Sequence, residues 1–164
     1  MDGKNRKYYS IWIGLLTFSA GLTNGEAAWG AGLAVSHHTG NLTQLAAAFR
    51  LEDFSFVFML AGLILCFFAG SVLAGAVFYG HEAGLSTFYG FFSLIQGTLT
   101  VALPFILPSA WFAAFYFYAA LALGMQNSIL LKYKGALTRT SHMTGYLTDA
   151  DRVRIVGVNS RTER

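Results

Sequence analysis

Charge is what this 164-residue chain has least of: 12% of its residues are charged, against about a quarter in soluble domains. Two long stretches carry none at all, Phe54 to Gly80 and Ala83 to Leu131. Either run exceeds the roughly 20 apolar residues that cross a bilayer, which excludes the ordinary soluble globular class. Cysteine is nearly absent too. Cys66 is the only one, so neither an intrachain disulfide nor a cysteine-built metal site can form. No HExxH pair, GxSxG elbow, phosphate loop or dinucleotide fingerprint occurs, so no enzyme activity and no cofactor are expected. The formal net charge is +3. The basic residues sit at the ends of apolar runs rather than in a patch, so nucleic acid is not an expected partner.

What the chain has instead is hydrophobic surface. It is 55% hydrophobic, with fifteen phenylalanines and a mean hydropathy of +0.51. A lipid bilayer is the expected environment. The other conspicuous feature is a repeated polar knot. Ser36-His37-His38-Thr39-Gly40-Asn41-Leu42-Thr43 recurs as Ser141-His142-Met143-Thr144-Gly145-Tyr146-Leu147-Thr148. Upstream, Gly21-Leu22-Thr23-Asn24 aligns with Gly124-Met125-Gln126-Asn127. A polar, glycine-containing knot that returns after an apolar helix marks an internal repeat.

In chain order, a basic head (residues 1–7) precedes a first span from about Tyr8 to Thr23. Lys4, Arg6 and Lys7 before it also fit a cleaved signal peptide, but the spans that follow favour an uncleaved first helix. Asn24 and Glu26, crowded by Gly21, Gly25, Gly30 and Gly32, predict a break or unwinding there; a span continuing to Val35 is the alternative. After the first knot, Gln44 to Phe49 reads as a short interfacial helix, and Arg50, Glu52 and Asp53 mark water. Phe54–Tyr79 is the second span, with Gly62, Cys66, Gly70 and Ala74 on one stripe, and small residues let membrane helices approach closely. His81 and Glu82 form a turn. The third span is Leu85–Leu107, containing Gln96 and Pro104. The fourth is Ala110–Leu131, with Ala120, Gly124 and Ser128 as a second stripe. The tail after Asp149 has no room for another span.

With the N-terminus in the cytoplasm and four crossings, the inner segments hold Lys4, Arg6, Lys7, Lys132, Lys134, Arg139, Arg152, Arg154, Arg161 and Arg164, and the outer ones only Arg50. That is a clear positive-inside bias, with both termini cytoplasmic. Three spans separate the two knots, so the second copy is inverted, as in secondary transporters. It stops after its knot.

The Gly21–Asn24 and Val35–Asn41 segments, followed by Gly124–Asn127 and Thr140–Thr148, resemble the YoaK-like family of small bacterial membrane proteins, a domain of unknown function. The resemblance covers about residues 10–150. It implies an inner-membrane protein with a transporter-like repeat and supplies no substrate. That family often carries Asp where this chain has Asn24. It also continues through two further spans, so the chain is expected to be C-terminally shortened.

The candidate ligand-binding residues are Asn24, Glu26, Ser36, His37, Thr39, Gly40, Gln126, Asn127, His142, Thr144 and Gly145. Glu26 within a membrane would cost roughly 2.5–3.5 kcal/mol and mark function; in an interfacial loop it would simply be wet. Asn24, Gln126 and Asn127 flank the expected breaks and serve either a solute or helix-to-helix bonding. Thr39, Gly40 and Thr43, like Thr144, Gly145 and Thr148, suit a helix N-terminus, where a hydroxyl caps free amides that can also hold an anion. His37 and His142 suit a pH sensor better than a metal site, because the adjacent His37 and His38 cannot share one helix face and no carboxylate cluster accompanies them. No metal is expected.

The expected architecture is therefore an all-α, polytopic membrane helix bundle of about four spans, one transmembrane domain over residues 1–164. Repeat copy one covers about 10–107, an incomplete copy two about 110–150, and a polar tail 151–164. The expected function is movement of a small solute or ion. The alternative is a non-transporting scaffold that forms a homo-oligomer through its small-residue helix faces.

Overall fold

The computed structural model describes residues 3–78, 87–108, 111–128, 131–133 and 136–138. Among them are five helices: α1 (Gly3–Ala31), α2 (His38–Arg50), α3 (Phe54–Val77), α4 (Thr87–Ile106) and α5 (Phe112–Ser128). A small antiparallel ribbon follows, β1 (Leu131–Tyr133) against β2 (Ala136–Thr138), with Lys132 opposite Leu137.

The pattern of burial is that of a protein dissolved in lipid. Large apolar side chains lie on the outside: Phe18 and Leu22 on α1, Phe58, Leu65 and Phe68 on α3, Phe91, Val101 and Phe105 on α4. The buried polar residues are Asn24, Ser36, Asn41, Gln126 and Asn127. In water that arrangement would forfeit most of the hydrophobic driving force. Two helices, Phe54–Val77 and Phe88–Ile106, are long and apolar enough to cross a membrane, and most of their surface is exposed rather than packed inside the protein. Together these features suggest membrane association. Of the four expected spans, the second and third are thus the ones with the length and composition to cross. α5 is 17 residues long over its described part, and α1 carries a basic head and Glu26.

α5 is the axis of the bundle. Phe115, Tyr116, Ala119, Ala120, Ala122 and Leu123 are all buried in its middle. Its closest neighbour is α3, and the small residues make that approach possible. A Cβ on Gly70 would meet the carbonyl of Leu121, and one on Gly124 would meet the carbonyl of Phe67. A Cβ on Gly62 would strike the ring of Phe117 at 2.7 Å. Each helix therefore presents a glycine to the other's backbone, and Ser71 Oγ adds a hydrogen bond to the Gly124 carbonyl at 3.2 Å. The two stripes read from the sequence pack on each other inside one chain.

The expected break near Asn24 is absent. α1 runs unbroken to Ala31. The polar residues that were to interrupt it bond along it instead: Thr23 Oγ1 donates to the Ser19 carbonyl at 3.0 Å and Asn24 Nδ2 to the Ala20 carbonyl at 2.8 Å. The helix ends at Gly32, whose φ of +66° is in the left-handed region where glycine alone costs nothing. Its amide still donates to the Ala28 carbonyl at 3.1 Å.

The α2–α3 connection is tight. Glu52 takes a left-handed φ of 57°, and the Asp53 carboxylate accepts from the Phe56 amide at 3.1 Å, capping α3. Arg50, Glu52 and Asp53 are exposed, as expected of a segment in water. The expected turn at His81 and Glu82 lies outside the described residues.

Candidate functional site

The non-helical segment between α1 and α2 does not stay at the end of the bundle. His38, the first residue of α2, lays its ring edge-on against Phe67 with 4.3 Å between centroids. Phe67 is near the midpoint of α3, which spans Phe54–Val77. The chain thus leaves α1 at Gly32, doubles back to the middle of the bundle, and starts a new helix there. α2 runs from that depth to the exposed Arg50. With 13 residues it is about 20 Å long, too short to span by itself.

Two asparagines hold the segment from opposite sides. Asn24, on α1, accepts from the Ser36 amide at 3.1 Å through Oδ1 and donates to Ser36 Oγ at 2.8 Å through Nδ2. Asn41, in the first turns of α2, accepts from the Ala34 amide at 3.4 Å and donates to the Ala34 carbonyl at 2.5 Å. The side-chain amide of Asn41 therefore pairs with residue 34 as a neighbouring strand would. Between them Val35 is fully buried in the apolar core. This is what a non-helical backbone needs inside lipid, where unpaired N–H and C=O groups cost several kcal/mol each.

That geometry resets the expected roles in the knot. Thr39 and Gly40 lie inside the first turn of α2, and the cap position belongs to His37, whose side chain makes no capping bond. Thr43 Oγ1 bonds back to the Thr39 carbonyl at 3.2 Å rather than to a free amide. The correction has a physical cause: side-chain hydrogen bonds from Asn24 and Asn41 hold residues 34 and 36, and the segment stays non-helical through His37. His37, Thr39 and Gly40 are exposed, and Ser36 is buried.

His38 is the unsettled member. Its Nδ1 is 3.5 Å from Asn41 Nδ2, while its buried Nε2 has no hydrogen-bond partner.

The remaining expected site residues disperse. Asn24 and Glu26 are on different sides of α1, as two residues 200° apart must be. The Glu26 carboxylate and the Tyr116 hydroxyl both lie beside Gly30. Because α1 continues to Ala31, Glu26 is on a helix and not in a wet loop. Gln126 Nε2 donates to the Leu16 carbonyl at 3.0 Å, tying α5 to α1, and Asn127 is buried next to it in sequence. The structure therefore gives Gln126 a helix-to-helix bond and does not gather it with Asn24 at one point. His142, Thr144 and Gly145 lie outside the described residues. Among the described residues no three potential metal ligands come together.

Two members of the site escaped the sequence. Asn41 falls where the second knot has Tyr146, and His38 where it has Met143, so the repeat that flagged their neighbours passed over both. The usable signal for Asn41 was the cost of non-helical backbone in lipid, which demands an amide or hydroxyl within reach.

The profile of a family described as "Protein of unknown function (DUF1275)" matches residues 13–154. The chain belongs to that family, which fits the resemblance drawn from the knots at the coarse level. No curated protein and no solved structure matches it.

Proposed function

We propose that this member of the DUF1275 family is a polytopic, YoaK-like inner-membrane protein of transporter-like architecture, which moves a small solute or ion past the half-helix that begins at His38. The single observation that carries this reading is the return of non-helical chain to the middle of α3, seen in the His38–Phe67 contact. Irregular backbone is tolerated at that depth where protein or a water-filled cavity surrounds it. Asn24 and Asn41 supply the protein side, while His37, Thr39 and Gly40 are left exposed on the other. A discontinuous helix whose start points into the membrane is the usual solute or ion site of secondary transporters.

The wider arrangement follows the distribution of charge. α1 and α2 together make one outward crossing, α3 returns, α4 goes out and α5 returns, leaving both termini in the cytoplasm and Arg50 outside. The knot at His142, Thr144 and Gly145 follows three spans after the first and is in this topology its inverted counterpart. The protein acts without a cofactor and without catalysis. The scaffold reading is disfavoured because Gly70 and Gly124 already pack on each other's helices within the chain.

The test is flux. The full chain, reconstituted in liposomes, is expected to pass at least one member of a panel of inorganic cations, inorganic anions and small neutral solutes faster than protein-free vesicles do. Gly40→Leu should suppress that flux without unfolding the protein, because a Cβ on Gly40 meets nothing within 4 Å. Background rates across the whole panel would overturn the reading.

A further inference from the structure

We propose that the cleft between α1 and α4 is a binding site for small organic cations with an apolar body. It is separate from the half-helix at His38 and does not depend on the transport reading. The cleft is an open-sided groove that faces outward beside exposed apolar side chains, with a volume of about 890 Å³, within the roughly 300–1,000 Å³ of sites that take drug-sized ligands. α1 and α4 form its walls and Phe115 of α5 its floor; Leu22, Leu94, Val101 and Phe105 make most of its surface apolar.

Its charge is of one sign. Among the described residues, Glu26 is the sole ionisable one on the lining. Its side chain is exposed and lies near the neutral hydroxyl of Tyr116. A carboxylate on a helix in apolar surroundings is costly unless it meets a cation or stays in water. The threonines of the lining do not compete for it. Thr23, Thr98 and Thr100 spend their hydroxyl protons on the carbonyls of Ser19, Leu94 and Gln96. Each keeps an oxygen that can accept a further weak contact. One fixed negative charge at the edge of an otherwise apolar cleft complements a single positive charge on an apolar body. It repels an anion of the same shape.

The test uses that pair. Tetraphenylphosphonium and tetraphenylborate have nearly the same size and opposite charge. Equilibrium dialysis of radiolabelled tetraphenylphosphonium against the detergent-solubilised full chain, with protein-free micelles as blank, is expected to show saturable binding that tetraphenylborate does not displace. Glu26→Gln should weaken it by about tenfold or more. Gly97→Leu should weaken it too by placing a side chain in the cleft; a Cβ there meets nothing within 4 Å, so this variant keeps its fold. Wild-type affinity in either variant, or equal displacement by tetraphenylborate, would overturn the proposal.

Discussion

Gly124→Leu is expected to leave no folded protein in mild detergent, and Gly70→Leu the same. At both positions the first added carbon lands on backbone, not on a side chain that could turn aside: the Phe67 carbonyl for Gly124 and the Leu121 carbonyl for Gly70. Separating α3 from α5 enough to admit a leucine would break the Ser71–Gly124 hydrogen bond and open the core around Leu60, Leu63 and Ala120. Overpacking a core costs about 1–3 kcal/mol where side chains can shift, and here they cannot. Even Gly124→Ala should lower stability clearly. Gly75→Ala supplies the control, since it lies on α3, the helix of Gly70, with open space before it. It should be neutral or gain up to about 1 kcal/mol of helix propensity. Gel filtration and SDS-driven unfolding would read the difference; a monodisperse, normally stable Gly124→Leu would refute the packing.

Asn41→Ala is expected to cost about 2–4 kcal/mol. It removes the partners of both polar groups of Ala34 at a position where Asn41 is 1% exposed, and each buried group left unpaired costs about 1–3 kcal/mol. Water could enter to compensate, and the segment would then loosen. Ser36→Cys, in a chain whose Cys66 is replaced by Ser, reports on that loosening. Ser36 is 6% exposed, so a polar thiol reagent should react slowly with Ser36→Cys alone and much faster once Asn41→Ala is added. Thr43→Ala, whose exposed hydroxyl bonds only within α2, should change stability by less than about 0.5 kcal/mol. Equal sensitivity of the two positions would mean that the asparagine does not hold residue 34.

These residues also mark how far the sequence could be read. α3 and α4 were legible because lipid selects for composition, and a charge-free run of more than 20 residues admits few readings. The packing stripes were legible too, though not whom they would meet. Gly62, Gly70 and Gly124 announce a close approach of helices, and nothing local distinguishes a partner in the same chain from one in another. The break lies further along than Asn24 because neither asparagine nor glycine by itself ends a helix. In a helix whose surroundings are apolar, Asn24 keeps its amide on the Ala20 carbonyl and loses nothing by staying helical. The true end needed a left-handed residue, and Gly32 was one of four crowded glycines that could have supplied it. Asn41 was invisible for a different reason. Its role is set by Ala34, and that pairing depends on the chain having already doubled back.

The tie between α3 and α5 has a consequence for how the protein is made. Ser71 bonds the carbonyl of a residue 53 positions later, and Leu16 meets Gln126 across 110. A ribosome adding about 5–20 residues each second delivers those partners roughly 3–10 and 5–20 seconds late. For that interval α3 stands with its glycine groove unfilled. Synthesis, not packing, sets the pace of assembly. A chaperone of the insertion machinery that shelters small-residue grooves would find this chain a long-lived client, released only when α5 arrives.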